Sequence, residues 1–67
     1  MQVRIADYPE LRKLCWNRPP EAILEGADAL AVYECNWRHL DPDSLMADER
    51  RLIQSLAALY GGGVLNV

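Results

Sequence analysis

The sequence lacks any long apolar run: nothing in its 67 residues approaches the ~20 consecutive apolar positions that cross a bilayer. Its first residues also lack the basic segment followed by an apolar one that marks an export signal, so a cytoplasmic location is expected. Cysteine is scarce. Cys15 and Cys35 are the two, too few for the usual disulfide-stapled scaffold of a small secreted domain, and free thiols are expected. His39 is the single histidine, so general acid or base work would fall to it or to carboxylates. No internal repeat and no low-complexity tract interrupts the chain. What is present is 51% hydrophobic and 25% charged residues, the balance of a folding globular sequence rather than a disordered one. One small domain over residues 1–67 follows. A chain this short buries only about 60% of its unfolded surface, which makes a partner or a homodimer an expected source of further stability.

Positive charge is also in short supply, and the formal net charge is -3. Residues 1–18 hold Arg4, Arg12, Lys13 and Arg18 against Asp7 and Glu10, whereas residues 19–49 hold eight acids against Arg38. An acidic chain repels the phosphate backbone unless its basic groups share one face. Arg12, Lys13, Arg18, Arg50 and Arg51 would form such a face only if the first and third helices lay side by side. Scattered arginines are more often a solvated surface.

Hydrophobic spacing predicts a mainly α fold, a small three-helix domain with a short two-stranded ribbon joining its ends as an option. Gln2 to Ile5 alternates like a strand. Asp7 is placed as an N-cap with Pro9 in the first turn of a helix running from about Tyr8 to Trp16. Asn17-Arg18-Pro19-Pro20 ends it. Residues 21–26 are open between a helical turn and an extended anchor carrying Ile23 and Leu24 inward. A central helix is expected from about Ala27 to Leu40, with Leu30, Tyr33, Trp37 and Leu40 on its core side. After the turn Asp41-Pro42-Asp43-Ser44, a third helix starts around Asp48 and Glu49. Its apolar face is Leu52, Ile53, Leu56, Leu59 and Tyr60, and Gly61 is its left-handed C-cap. The tail Val64-Leu65-Asn66-Val67 is open between pairing with Gln2 to Ile5, packing across the helices and a loose end.

Steps of about 100° per residue put Asp28, Val32, Cys35 and His39 opposite the core side of the central helix. Cys35 and His39, four apart, can reach one transition metal there with Asp28 as an oxygen ligand, but zinc sites normally take four ligands. No metal or other cofactor is therefore expected. A thiol enzyme would need a pocket and a third group orienting His39, and no catalytic residue is assigned. Asp41, Asp43, Asp48 and Glu49 read as turn and solvated capping residues. The three glycines after the third helix lack the strand, the following helix and the lysine of a phosphate-binding loop. Among the aromatics, Tyr33, Trp37 and Tyr60 fit the core by spacing. Trp16, off the apolar stripe and beside Arg18, fits an interface. The interface candidates are thus Trp16, Arg18, Val32, Cys35 and His39.

The segment Tyr33-Glu34-Cys35-Asn36-Trp37-Arg38-His39-Leu40-Asp41, with the ending Tyr60-Gly61-Gly62-Gly63-Val64-Leu65-Asn66-Val67, resembles short uncharacterised proteins of proteobacterial plasmids and integrated mobile elements. The resemblance implies a context and no residue roles: a bacterial cytosol and a gene tied to mobile-element maintenance or to toxin–antitoxin-type conflict. The function expected from all of this is a small protein-interaction or regulatory module, with itself or another protein as partner and no membrane. The alternative is a weak nucleic-acid-binding regulator, and a metal-dependent or thiol enzyme ranks last.

Overall fold

A computed structural model describes residues 1–63. The options left open for tail residues 64–67 lie outside them. Gln2–Arg4 forms strand β1, which runs antiparallel to β2, Ile23–Glu25, with Val3 opposite Leu24. The ribbon thus takes its second strand from the connector, where the extended option holds, and Val3 and Leu24 point inward while their neighbours face solvent. That alternation is the period-2 signature of a ribbon with one buried face.

A 3-10 turn over Ile5–Asp7 leads into helix α1, Pro9–Leu14. Asp7 lies in that turn and Tyr8 occupies the N-cap position with no side-chain cap. Helix α2 covers Gly26–Cys35 and stops five residues before the expected Leu40. Asn36 explains the stop. Its backbone N–H and its side-chain amide both donate to the Val32 carbonyl, at 3.2 and 2.8 Å, so the side chain competes with the next turn for a helical acceptor. The chain continues through 3-10 turns at Trp37–His39 and Pro42–Ser44, the second capped by Asp41. Helix α3 runs Ala47–Tyr60. Gly61, expected in the left-handed region, has φ -111°. The reversal falls instead on Gly62 and Gly63, at φ 66° and 86°, conformations that glycine adopts without a Cβ penalty.

Helix α2 packs against both α1 and α3, and the ribbon closes one end. Ile5, Leu11, Ala29, Tyr33 and Leu56 are fully buried in the resulting core; full burial of each larger apolar side chain contributes roughly 1.5–3 kcal/mol. Three expected core positions differ. Trp37, beyond the end of α2, is half-buried against the core, while Leu59 and Tyr60 are 62% and 43% exposed, the Tyr60 ring lying over Gly26 with its hydroxyl accepting from the Met1 amino terminus at 3.2 Å. Val32 also differs from expectation. Ala29 is as buried as Tyr33, which rotates the inner face of α2 and leaves Val32 on its flank, half-buried against the core rather than opposite it.

Candidate functional site

The chemically unusual side chain of the interior is Glu49, on the first turn of α3 and only 1% exposed. It accepts three hydrogen bonds: from the backbone N–H groups of Glu10 at 3.1 Å and Leu11 at 2.9 Å, and from the Tyr33 hydroxyl at 2.6 Å. The expectation of a solvated cap is corrected in a specific way. Glu49 caps a helix, but it caps α1, whose own N-cap residue Tyr8 offers nothing to the free N–H groups of the first turn. One carboxylate therefore ties α3 to α1 through the backbone and to α2 through Tyr33. Burial, the hydrogen bond to Glu49 and the charge of Glu49 together push the Tyr33 hydroxyl far above the ordinary tyrosine range. The sequence carried a signal for this: Glu49 stands three and four residues before Leu52 and Ile53, on the apolar stripe of α3. With all three donors satisfied and the carboxylate shielded from solvent, the arrangement supports the fold and offers no group to a ligand.

The surface presents other groups. Trp16 is 84% exposed, the most open of the large hydrophobic side chains among the described residues. Its backbone is held on both sides. Cys15, buried, donates its N–H to the Leu11 carbonyl and accepts from the Arg18 N–H, both at 2.9 Å, and Ala22 N–H closes a second turn on the Pro19 carbonyl at 3.0 Å. Burial raises the Cys15 thiol above its ordinary range, with Arg18 opposing the shift. Arg12, Lys13 and Arg18, near Trp16 in sequence, are exposed, and Lys13 pairs with Glu10 at 3.1 Å.

The chain matches no protein-family model, no curated protein and no solved structure. The surface itself therefore carries the functional reading.

The five basic candidates are divided. Arg51 pairs with Asp48 at 2.6 Å and lines an open groove of about 600 Å³ beside Met1, Asp7 and Tyr8. Arg50 lines another groove of about 410 Å³ with Trp37 and Leu45 on a different flank of α3. Arg12, Lys13 and Arg18 belong to the other end of α1, where Trp16 stands. Cys35 and His39 are exposed, as is Asp28, but the end of α2 at Cys35 places His39 in a separate 3-10 turn, so the four-residue helical spacing no longer aligns them. Among the described residues no three histidine, cysteine or acidic side chains are grouped to hold a metal. Both cysteines are free thiols, and no helix of the described residues is long and apolar enough to cross a membrane.

Proposed function

We propose that the chain is a small protein-interaction module that inserts Trp16 into an apolar pocket of a partner protein, with Arg12 and Arg18 meeting acidic groups at its rim. The observation that supports this reading is the exposure of the Trp16 indole on an anchored turn. An exposed indole presents large apolar area that water solvates poorly. Trp and Arg are the residue types that most often dominate interface energetics when surrounded by contacts that exclude water. Because buried Cys15 and the two turns already fix the backbone, ordering Trp16 on binding costs less than ordering a loose loop. The partner is a protein encoded with this chain, in the regulatory context of a mobile element that the sequence resemblance implies.

Trp16→Ala tests the reading. The side chain contributes little to the core, so the variant should melt within about 4 °C of the parent, in keeping with ~0.5 kcal/mol or less for an exposed substitution. Tagged parent chain isolated from cells of its source should retain the product of a neighbouring gene, and the variant should lose it. Retention of the same proteins by both would refute the role of Trp16.

The same residues suit a second reading, in which Trp16 stacks on a single-stranded base with Arg12 and Arg18 at the phosphates. The pairing of Lys13 with Glu10 and the separation of Arg50 and Arg51 into other grooves leave few phosphates to neutralise. Fluorescence anisotropy with single-stranded oligomers separates the two readings, since such binding would be weak and would vanish as salt rises.

A further inference from the structure

Strand β1 has an outer edge that meets no other strand among the described residues, and its register determines what that edge offers. Gly26 N–H donates to the Met1 carbonyl at 2.6 Å and Ile5 N–H to the Ala22 carbonyl at 3.2 Å. Antiparallel pairs alternate between residues that exchange backbone hydrogen bonds and residues that do not. Met1, Val3 and Ile5 therefore direct their backbone groups at β2, whereas Gln2 and Arg4 direct theirs outward. The Arg4 carbonyl also opens the 3-10 turn over Ile5–Asp7, and a carbonyl oxygen has a second lone pair to offer. Gln2 and Arg4 also line an open groove of about 390 Å³ that adjoins the larger one, with Tyr8 and Leu52 common to both.

We propose that this edge pairs with the same edge of a second copy, antiparallel about a twofold axis through Val3, giving a four-stranded sheet in the order β2-β1-β1-β2. Positions 2 and 4 exchange places under reversal about position 3. Gln2 of each copy then faces Arg4 of the other at pairs whose outward groups can exchange hydrogen bonds, and symmetry makes this happen twice. Sliding by two residues leaves one such pair and sets Gln2 against Gln2 or Arg4 against Arg4, the latter a like-charge opposition. Charge favours a second copy in another respect. Around the adjoining grooves Asp7 and Asp48 stand against Arg4, Arg51 and the amino terminus of Met1, so this patch lacks the negative excess of a chain of net charge -3 and two copies repel less here than elsewhere. The exposed Met1 side chain at the head of the strand supplies apolar area to the joint. A stable interface takes about 800 Å² from each partner, close to a fifth of the 4444 Å² surface. An edge three residues long with its flanking grooves covers less than that, so the dimer is weak and reversible. It uses a surface separate from Trp16 and does not depend on the reading given above.

Sedimentation equilibrium of the full chain, from low micromolar to the highest soluble concentration, should show a reversible monomer–dimer equilibrium. Arg4→Pro should abolish it while preserving the fold: Arg4 has φ -84° and ψ 121°, close to the backbone proline adopts, and its outward N–H serves no bond to β2. Gln2→Glu, facing Arg4 twice, should tighten the dimer by about two- to thirty-fold, and Gln2→Lys should loosen it similarly. Within one copy Gln2 sits opposite Glu25, so these substitutions change monomer stability in the opposite sense, and a dimer effect cannot be mistaken for a folding effect. Trp16→Ala should leave the equilibrium unchanged. The proposal is overturned by a monomer at every concentration, by Arg4→Pro dimerising like the parent with an unchanged helical spectrum, or by Gln2→Lys binding more tightly than Gln2→Glu. Should Arg4→Pro fail to fold, the two Gln2 variants decide.

Discussion

Removing the carboxylate of Glu49 should be the most damaging single change of a polar side chain in this protein, and its size can be worked from the three hydrogen bonds it accepts. Hydrogen bonds to a charged acceptor contribute about 1.5–3 kcal/mol each, and a buried donor left without a partner costs about 1–3 kcal/mol. Tyr33→Phe removes one donor and leaves the two backbone bonds, so it should cost about 1.5–3 kcal/mol. Glu49→Gln keeps one acceptor oxygen but turns an amide NH2 toward a remaining donor, losing at least one bond and opposing two donors; about 2–4 kcal/mol is expected. Glu49→Ala strands all three donors and opens a cavity, and should exceed both. A chain of this length has roughly 3–10 kcal/mol of total stability, so Glu49→Ala should be largely unfolded at room temperature and Glu49→Gln should melt many degrees below the parent. Urea denaturation followed by circular dichroism gives the free energies. The double variant Tyr33→Phe with Glu49→Gln gives the coupling, which should be well short of additive because the two share a bond. If Glu49→Gln lies within about 0.5 kcal/mol of the parent, the three bonds do not hold the helices together and the reasoning fails.

Two more outcomes follow from the titrating groups. Tyr33 holds its proton more tightly in the folded than in the unfolded chain, so its contribution is fully present below the unfolded value near 10 and is lost as pH rises above it, by up to about 1.4 kcal/mol per pH unit. Urea midpoints measured from neutral to strongly alkaline pH should fall steeply above that value in the parent and less so in Tyr33→Phe; equal slopes would contradict the assignment. Cys35 is exposed and Cys15 buried with a raised thiol, so a thiol reagent should modify Cys35 alone in the native chain and both residues in denaturant, with Cys35→Ser leaving the melt unchanged. Rapid native labelling of Cys15 would show that the turn presenting Trp16 is not anchored as described.

How much of this was legible in the sequence depends on which force set each element. The three helices follow from apolar spacing and from proline and turn residues, and those local signals place α3 to within a residue or so. The early end of α2 at Cys35 is set by a competition between Asn36 side-chain and backbone donors for one carbonyl, which periodicity does not register. The ribbon partner is a tertiary choice: Ile23–Glu25 and the tail both have strand-like composition, and only the path of the connector brings β2 against β1. Glu49 was misread for a related reason. An acidic residue in a first helical turn ordinarily serves its own helix in solvent, and the donors it meets belong to α1 and α2, distant in sequence. The exposure of Trp16 was legible because the residue lies off the apolar stripe of the first helix. The basic residues could not be grouped without knowing which flank of α3 each occupies.

The claim that Trp16 is the recognition element is tested most directly by placing a photo-reactive phenylalanine analogue at position 16 of the full chain and irradiating cells of its source. A control carries the analogue at Gln54, an exposed position on α3 remote in sequence from Trp16 and from β1. One cross-linked product of defined mass is expected from position 16, absent from position 54 and lost when Arg12 and Arg18 are both changed to Glu. Cross-linking from position 54 with none from position 16 would contradict it.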